Sequence, residues 1–151
     1  MSETPRPLVV DTSVAVKWYV SEEFRDEALT LFDAMADGTI RGTAPNTIQP
    51  EFWNALWQKR RRGELSPEEA RTIWSEFSED PVSLYKTEDL MPRAVEVAES
   101  GAIIYDALFI TLAEAMDTTV MTADDRLLET LNTPFETRAR HLADVASLLG
   151  R

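Results

Sequence analysis

The 151-residue chain has no cysteine and a single histidine, His141. Disulfides, thiolate zinc sites and thiol nucleophiles are therefore excluded, and no histidine-rich metal site can be assembled. Positive charge is scarce as well. Lys and Arg number 15 against 27 Asp and Glu, for a net charge of −12. A protein that coats nucleic acid needs a basic face, so that class is disfavoured. A nuclease is not, because carboxylates can hold divalent cations that then face the phosphates. Long apolar runs are missing too, and no stretch reads as a membrane span. Residues Met1–Pro7 lack the charged-then-apolar pattern of a secretory signal, which makes a cytoplasmic location the expectation.

Apolar residues still make up 44% of the chain, enough for a real core. The length suits one domain over 1–151, with 1–6 a loose polar tail. Apolar spacing predicts helices over 13–20, 22–35, 48–61, 66–77, 90–100, 104–116, 124–131 and 142–149. Ser66-Pro67-Glu68-Glu69 is a start signal, with Ser66 as N-cap, Pro67 at the first helical position and Glu69 closing a capping box. Gly38 and Gly42 read as breaks. Strands are expected at 8–10, 43–44, 82–85, 119–122 and 135–138. Strands alternating with helices from end to end predict an α/β fold, a parallel sheet with helices on both faces.

The first strand, Leu8-Val9-Val10, runs straight into Asp11-Thr12-Ser13. A parallel strand there delivers Asp11 to the carboxyl edge of the sheet, where open α/β folds place their sites. Asp124 follows Val120-Met121-Thr122 in the same way. Asp106 lies in the first turn of the helix beginning near Ile104, and Glu51 sits among Pro50, Phe52 and Trp53. All four acids are set in apolar sequence, where a carboxylate is costly unless it is paired or binds a metal. Each also has an ordinary structural explanation. Asp11 or Asp124 can cap the following helix, Asp106 can face a helix dipole, and Glu51 can pair with Lys59. Glu22, Asp80 and the other acids of the polar runs read as solvated charge. Together the four make an oxygen-only site that suits Mg²⁺, or Mn²⁺ by the same ligand logic.

Val10-Asp11-Thr12-Ser13, Pro45 with Glu51-Phe52-Trp53-Asn54-Ala55-Leu56, Tyr105-Asp106-Ala107-Leu108 and Thr122-Ala123-Asp124 resemble, in that order, the PIN-domain ribonucleases. The VapC toxins of toxin–antitoxin pairs are the nearest likeness, over nearly the whole chain. The resemblance implies a three-layer α/β/α sandwich around a five-stranded parallel sheet. It implies a Mg²⁺- or Mn²⁺-dependent endoribonuclease acting on RNA, a homodimer, and inhibition by a cognate antitoxin. It places Asp11, Glu51, Asp106 and Asp124 at the metal, Ser13 beside the first acid, and Thr122 and Asn54 in supporting positions. Asp124 is preferred over the adjacent Asp125 because it fits the motif.

The run Lys59-Arg60-Arg61-Arg62 reads either as a helix terminus favouring cations or, through Arg60, Arg61 and Arg62, as contacts to the RNA backbone, and Lys17, near the expected site, is a further candidate for such a contact. Trp18 or Tyr19 is a lesser candidate for stacking a base. Two other classes remain open: an inactive metal-binding interaction module of the same fold, and a phosphotransfer receiver. The receiver wants a pair of acids after the first strand and a late Lys, and here there is one acid and no Lys after Thr122.

Overall fold

Leu8, Val9 and Val10 have no solvent exposure at all. They belong to β1 (Arg6–Val10), the middle of a five-stranded sheet in the computed structural model, which describes residues 4–80, 82–131 and 135–151. A strand covered on both faces reads as continuous rather than alternating apolar sequence, which is why this run is so compact. The sheet order is β3-β2-β1-β4-β5 and every pairing is parallel. Here β2 is Ile40–Pro45, β3 Ser83–Tyr85, β4 Val120–Thr122 and β5 Ala139–His141. Helices cover both faces, giving the expected three-layer α/β/α sandwich.

The helices are α1 (Thr12–Ala15, continued by a 3₁₀ turn at Val16–Trp18), α2 (Arg25–Ala36), α3 (Ile48–Arg61), α4 (Pro67–Phe77), α5 (Thr87–Ala98), α6 (Ile104–Ala115), α7 (Asp125–Thr130) and α8 (Val145–Leu148). Helix α6 is buried on all sides from Ala107 to Ala113 and packs on β1, β2 and β4. Phe52 of α3 stacks on Phe77 of α4, with ring centroids 3.9 Å apart. Trp53 and Trp74 join the same aromatic cluster.

Helix α4 starts as its sequence demands. Ser66 Oγ accepts the Glu69 amide at 3.0 Å, and Glu69 Oε1 accepts the Ser66 amide at 3.0 Å. Ser66→Ala is expected to cost about 1 kcal/mol of stability by loss of the cap, read as a lower midpoint in urea with unchanged m value.

Three expectations need correction. Gly42 does not break the chain but lies inside β2, which begins at Ile40. A Cβ there would stand 2.5 Å from Met35 Cε, so the missing side chain makes room for the thioether of α2. The strand expected at 135–138 is instead a 3₁₀ turn over Glu136–Arg138, and β5 follows it. Arg138 is spent on Asp117 and on the Thr118 carbonyl, so pairing with β4 begins only at Ala139 opposite Val120. The helix expected over 13–20 ends early, because Val14–Trp18 is drawn inward and Trp18 Nε1 donates to the Ala28 carbonyl. The tail expected at 1–6 falls partly outside the described residues; Arg6 already pairs in β1.

Candidate active site

The chain enters the sheet at β1, fills one side with β2 and β3, and returns to the other side of β1 with β4. The carboxyl ends of β1 and β4 therefore flank the point where the order reverses, the usual crevice of open α/β sheets. Asp11 follows β1 and Asp124 follows β4. Both line a cavity of about 590 Å³ together with Glu51 of α3 and Asp106 of α6. Ser13, Thr12 and Asn54 line it as well. A larger cavity of about 690 Å³ lies at the opposite, amino edge among Arg6, Asp37 and Leu148, where only one acid is present.

The two strand ends are stitched together by hydroxyls. Asp11 Oδ2 accepts Ser13 Oγ at 2.6 Å and Thr122 Oγ1 at 2.9 Å. Ser13 Oγ in turn accepts the Ala123 amide at 3.0 Å, and Thr122 Oγ1 accepts the Asp124 amide at 3.0 Å. Asp11 occupies the N-cap position of α1, but its side chain makes no capping bond. Thr12 and Ser13 lie inside the helix and do not cap it either. Asp124 does both jobs, capping α7 through the Arg126 amide at 2.9 Å while lining the cavity. Asp125 is exposed, stands 3.8 Å from His141 Nε2 and does not line the cavity.

The carboxylates act on one another across this cavity. Burial and then the charge of Asp11 push Glu51 up to about 7, with Asp106 adding to the effect. Asp106 is pushed up to about 6 by burial, then by Asp11 and Asp124. Asp11, only 8% exposed, is raised by burial against the lowering effect of its Ser13 and Thr122 bonds. Glu51 Oε2 accepts Thr12 Oγ1 at 3.3 Å. Its other oxygen, Oε1, is buried without a well-formed hydrogen bond, although the Thr47 hydroxyl beside the carboxyl lowers its pKa somewhat. Lys59, the alternative partner for Glu51, pairs instead with Glu22 at 2.8 Å. An orphaned buried carboxylate oxygen among like charges is what a hard cation compensates. Among the described residues, no three acidic or imidazole side chains stand close enough to hold one ion as they are.

Other assigned residues lie elsewhere. Lys17 is buried, with Nζ 3.1 Å from Glu22 Oε1, so it is a structural cation and not a free hand for RNA. Glu22 is accordingly not a solvated charge, since it bridges Lys17 and Lys59. Asp80 is not one either, with Oδ2 buried and its carboxyl raised to about 6 by burial. Arg60, Arg61 and Arg62 are exposed at the far end of α3, and Arg60 lies over the Trp57 ring at 5.1 Å. Arg60 lies nine positions after Glu51 on the helix, about 14 Å along the axis. Trp18 and Tyr19 are packed edge-on against Phe32 and Phe52, which removes them as base-stacking candidates. Two cavity residues escaped the sequence reading. Arg126 comes two places after Asp124, and Ile103 precedes the Tyr105-Asp106 motif. The signal available for Ile103 was an apolar residue at a helix start where a polar cap is usual.

The PIN domain family matches residues 8–131. Ribonuclease VapC3 of Pyrobaculum aerophilum is 29% identical over 126 residues, spanning 81% of this chain and 92% of that protein. Among solved structures, PAE2754 from Pyrobaculum aerophilum superposes with a TM-score of 0.70 at 19% identity, covering 95% of this chain and 89% of that one. VapBC2 from Rickettsia felis, bound to a DNA fragment from its promoter, gives 0.62 at 13% identity over 89% of this chain and 98% of that one.

Proposed function

We propose, from the premise that the chain belongs to the PIN domain family, that it is a divalent-cation-dependent endoribonuclease and the toxin of a toxin–antitoxin pair. The observation that carries this reading is the convergence of Asp11, Glu51, Asp106 and Asp124, from four elements, on one cavity at the carboxyl edge of the sheet. The similarity to Ribonuclease VapC3 supports RNA as the substrate. The fold shared with VapBC2 supports an antitoxin as partner. A homodimer belongs to the same reading, and exposed Leu84, Met91 and Val95 offer apolar surface for it.

Asp11, Glu51, Asp106 and Asp124 would hold the ion by drawing closer together than they stand here, as an all-oxygen donor set suited to Mg²⁺ or Mn²⁺. Such an ion supplies Lewis acidity, lowering the pKa of water and offsetting phosphodiester charge. The chain does the rest. Ser13 and Thr122 hold the rotamer of Asp11 through its Oδ2. Taking a proton from the attacking water would fall to one of these carboxylates, and Glu51, raised to about 7 by burial and by the charge of Asp11, is the best suited. His141 cannot share that task, because its Nδ1 accepts the Ala143 amide and its ring packs on Phe24, outside the cavity. Hydrolysis in this way leaves a 5′-phosphate and a 3′-hydroxyl.

The purified chain should cut single-stranded RNA with Mg²⁺ or Mn²⁺, stop when EDTA is added, and recover when the ion is restored in excess. End-labelling of the fragments should report 5′-phosphates. Cleavage that persists in EDTA, or 2′,3′-cyclic ends, would remove the reading in favour of metal-free chemistry. Cation binding with no cleavage of any RNA would favour the inactive interaction module.

A further inference from the structure

We propose that Tyr105 is a platform for one nucleobase of a single-stranded RNA, with Arg126 holding a neighbouring phosphate. This deepens the ribonuclease reading and rests on it. The observation behind it is an apolar surface that folding does not use. Helix α6 buries every residue from Ala107 to Ala113, yet its entry is bare. Ile103 is 62% exposed, Ile104 36% and Tyr105 57%, and none of the three belongs to the core. Ile103 and Tyr105 line the same cavity as the four acids.

The electrostatics say why such a surface is needed there. A chain of net charge −12, with carboxylates converging on its cavity, repels a polyanion. Neutralising the scissile phosphate does not attract the nucleotides on either side. Their binding must come from contacts that do not depend on net charge, and base–aromatic stacking is one, open to any base because each has a π face. Local cations are the other. Lys17 is tied to Glu22 and Arg60–Arg62 are distant, which leaves Arg126 as the cation lining the cavity among the described residues. Its side chain is 89% exposed, and Nε is only loosely held, 3.5 Å from Asp124 Oδ1. A paired base offers no free face, so this arrangement selects single strands over duplexes.

The test is steady-state cleavage of a short single-stranded RNA in Mg²⁺ by the wild-type chain, Tyr105→Phe and Tyr105→Ala. Melting curves verify that each variant folds, as expected for so exposed a site. Tyr105→Ala should raise KM roughly tenfold or more, and Tyr105→Phe should stay within about twofold of wild type, because the ring does the work. Abasic substitution, moved one position at a time along the RNA, should cost wild type a similar factor at one site next to the cut and cost Tyr105→Ala nothing further there. Unchanged kcat/KM in Tyr105→Ala overturns the proposal while leaving the ribonuclease intact. So does a Tyr105→Ala variant whose oligomeric state changes by light scattering while its per-protomer kcat/KM does not, which makes the patch a contact between copies. A wild-type chain that cleaves no RNA removes the ribonuclease reading itself, and the platform with it.

Discussion

Replacing Asp11 by Asn lowers kcat for RNA cleavage by about 10²–10³, the usual scale for deleting one preorganised electrostatic group in a site. The amide is the informative substitution. Ser13 and Thr122 both donate to one oxygen of Asp11, and Asn retains an oxygen to receive them. The stitching of β1 to β4 then survives while the negative charge is lost. Asp11→Ala would instead strand two buried hydroxyls, at about 1–3 kcal/mol, mixing a folding defect with a chemical one. Asp106→Asn should lose comparable activity and gain stability at neutral pH, because it removes a carboxylate that is penalised by burial and repelled by Asp11 and Asp124. Thr122→Val, which only loosens the orientation of Asp11, should cost about 10–100-fold. Cleavage rates set beside melting temperatures decide the matter. Full activity in both Asp11→Asn and Asp106→Asn would dissolve the assignment of the site.

Without divalent cation, the folded chain should become more stable as the pH falls from about 8 towards 5, with the sign set by linkage. Glu51 lies at about 7 in the folded chain against 4.5 ordinarily, and Asp106 at about 6 against 3.8. Between those values the folded state holds protons that the unfolded state has released. Stability therefore falls as the pH rises through this window, and the penalty is complete above about 7. The trend reverses in stronger acid. Glu22 is lowered by Lys59 and Lys17 despite the opposing effect of its burial, so its contribution is present above 4.5 and lost as the pH falls through its folded value. Mg²⁺ should reverse the slope, because it competes with those same protons. At a concentration 100 times its Kd it adds about 2.7 kcal/mol to stability, and it adds less at pH 5.5 than at pH 8. Melting temperatures at pH 5.5 and pH 8, each in EDTA and in Mg²⁺, give the four values required. Glu51→Gln should flatten the EDTA series. A melting temperature that rises with pH in EDTA would show that the carboxylates do not crowd one another as described.

The elements were legible wherever the local code was unambiguous. The fully apolar Leu8–Val10, bounded by polar residues, reads as a covered strand and is one, and Ser66-Pro67-Glu68-Glu69 carries both halves of its capping box within four residues. Legibility failed where a distant group decides. Gly42 punctuates on local grounds but is a strand residue because Met35, seven positions earlier, occupies the space of its missing side chain. The last strand slipped by a few residues because Arg138 finds its partners at Asp117 and Thr118.

The same division runs through the site. By itself, the sequence determined that a metal, if bound, would meet an oxygen donor set, that Asp11 and Asp124 each follow an apolar strand, and that the order of motifs is that of the PIN family. Those are properties of residue type and short-range pattern. Only the tertiary structure decided that β1 and β4 are neighbours, so that two acids 113 positions apart share a hydrogen-bonded frame. It decided that Asp124 and not Asp125 faces the cavity, that Lys17 and Lys59 are consumed by Glu22, and that Tyr105 is left bare. Each of these depends on which groups meet across the fold. Charge repulsion, burial and hydrogen bonding act through space, and distance along the chain does not encode them.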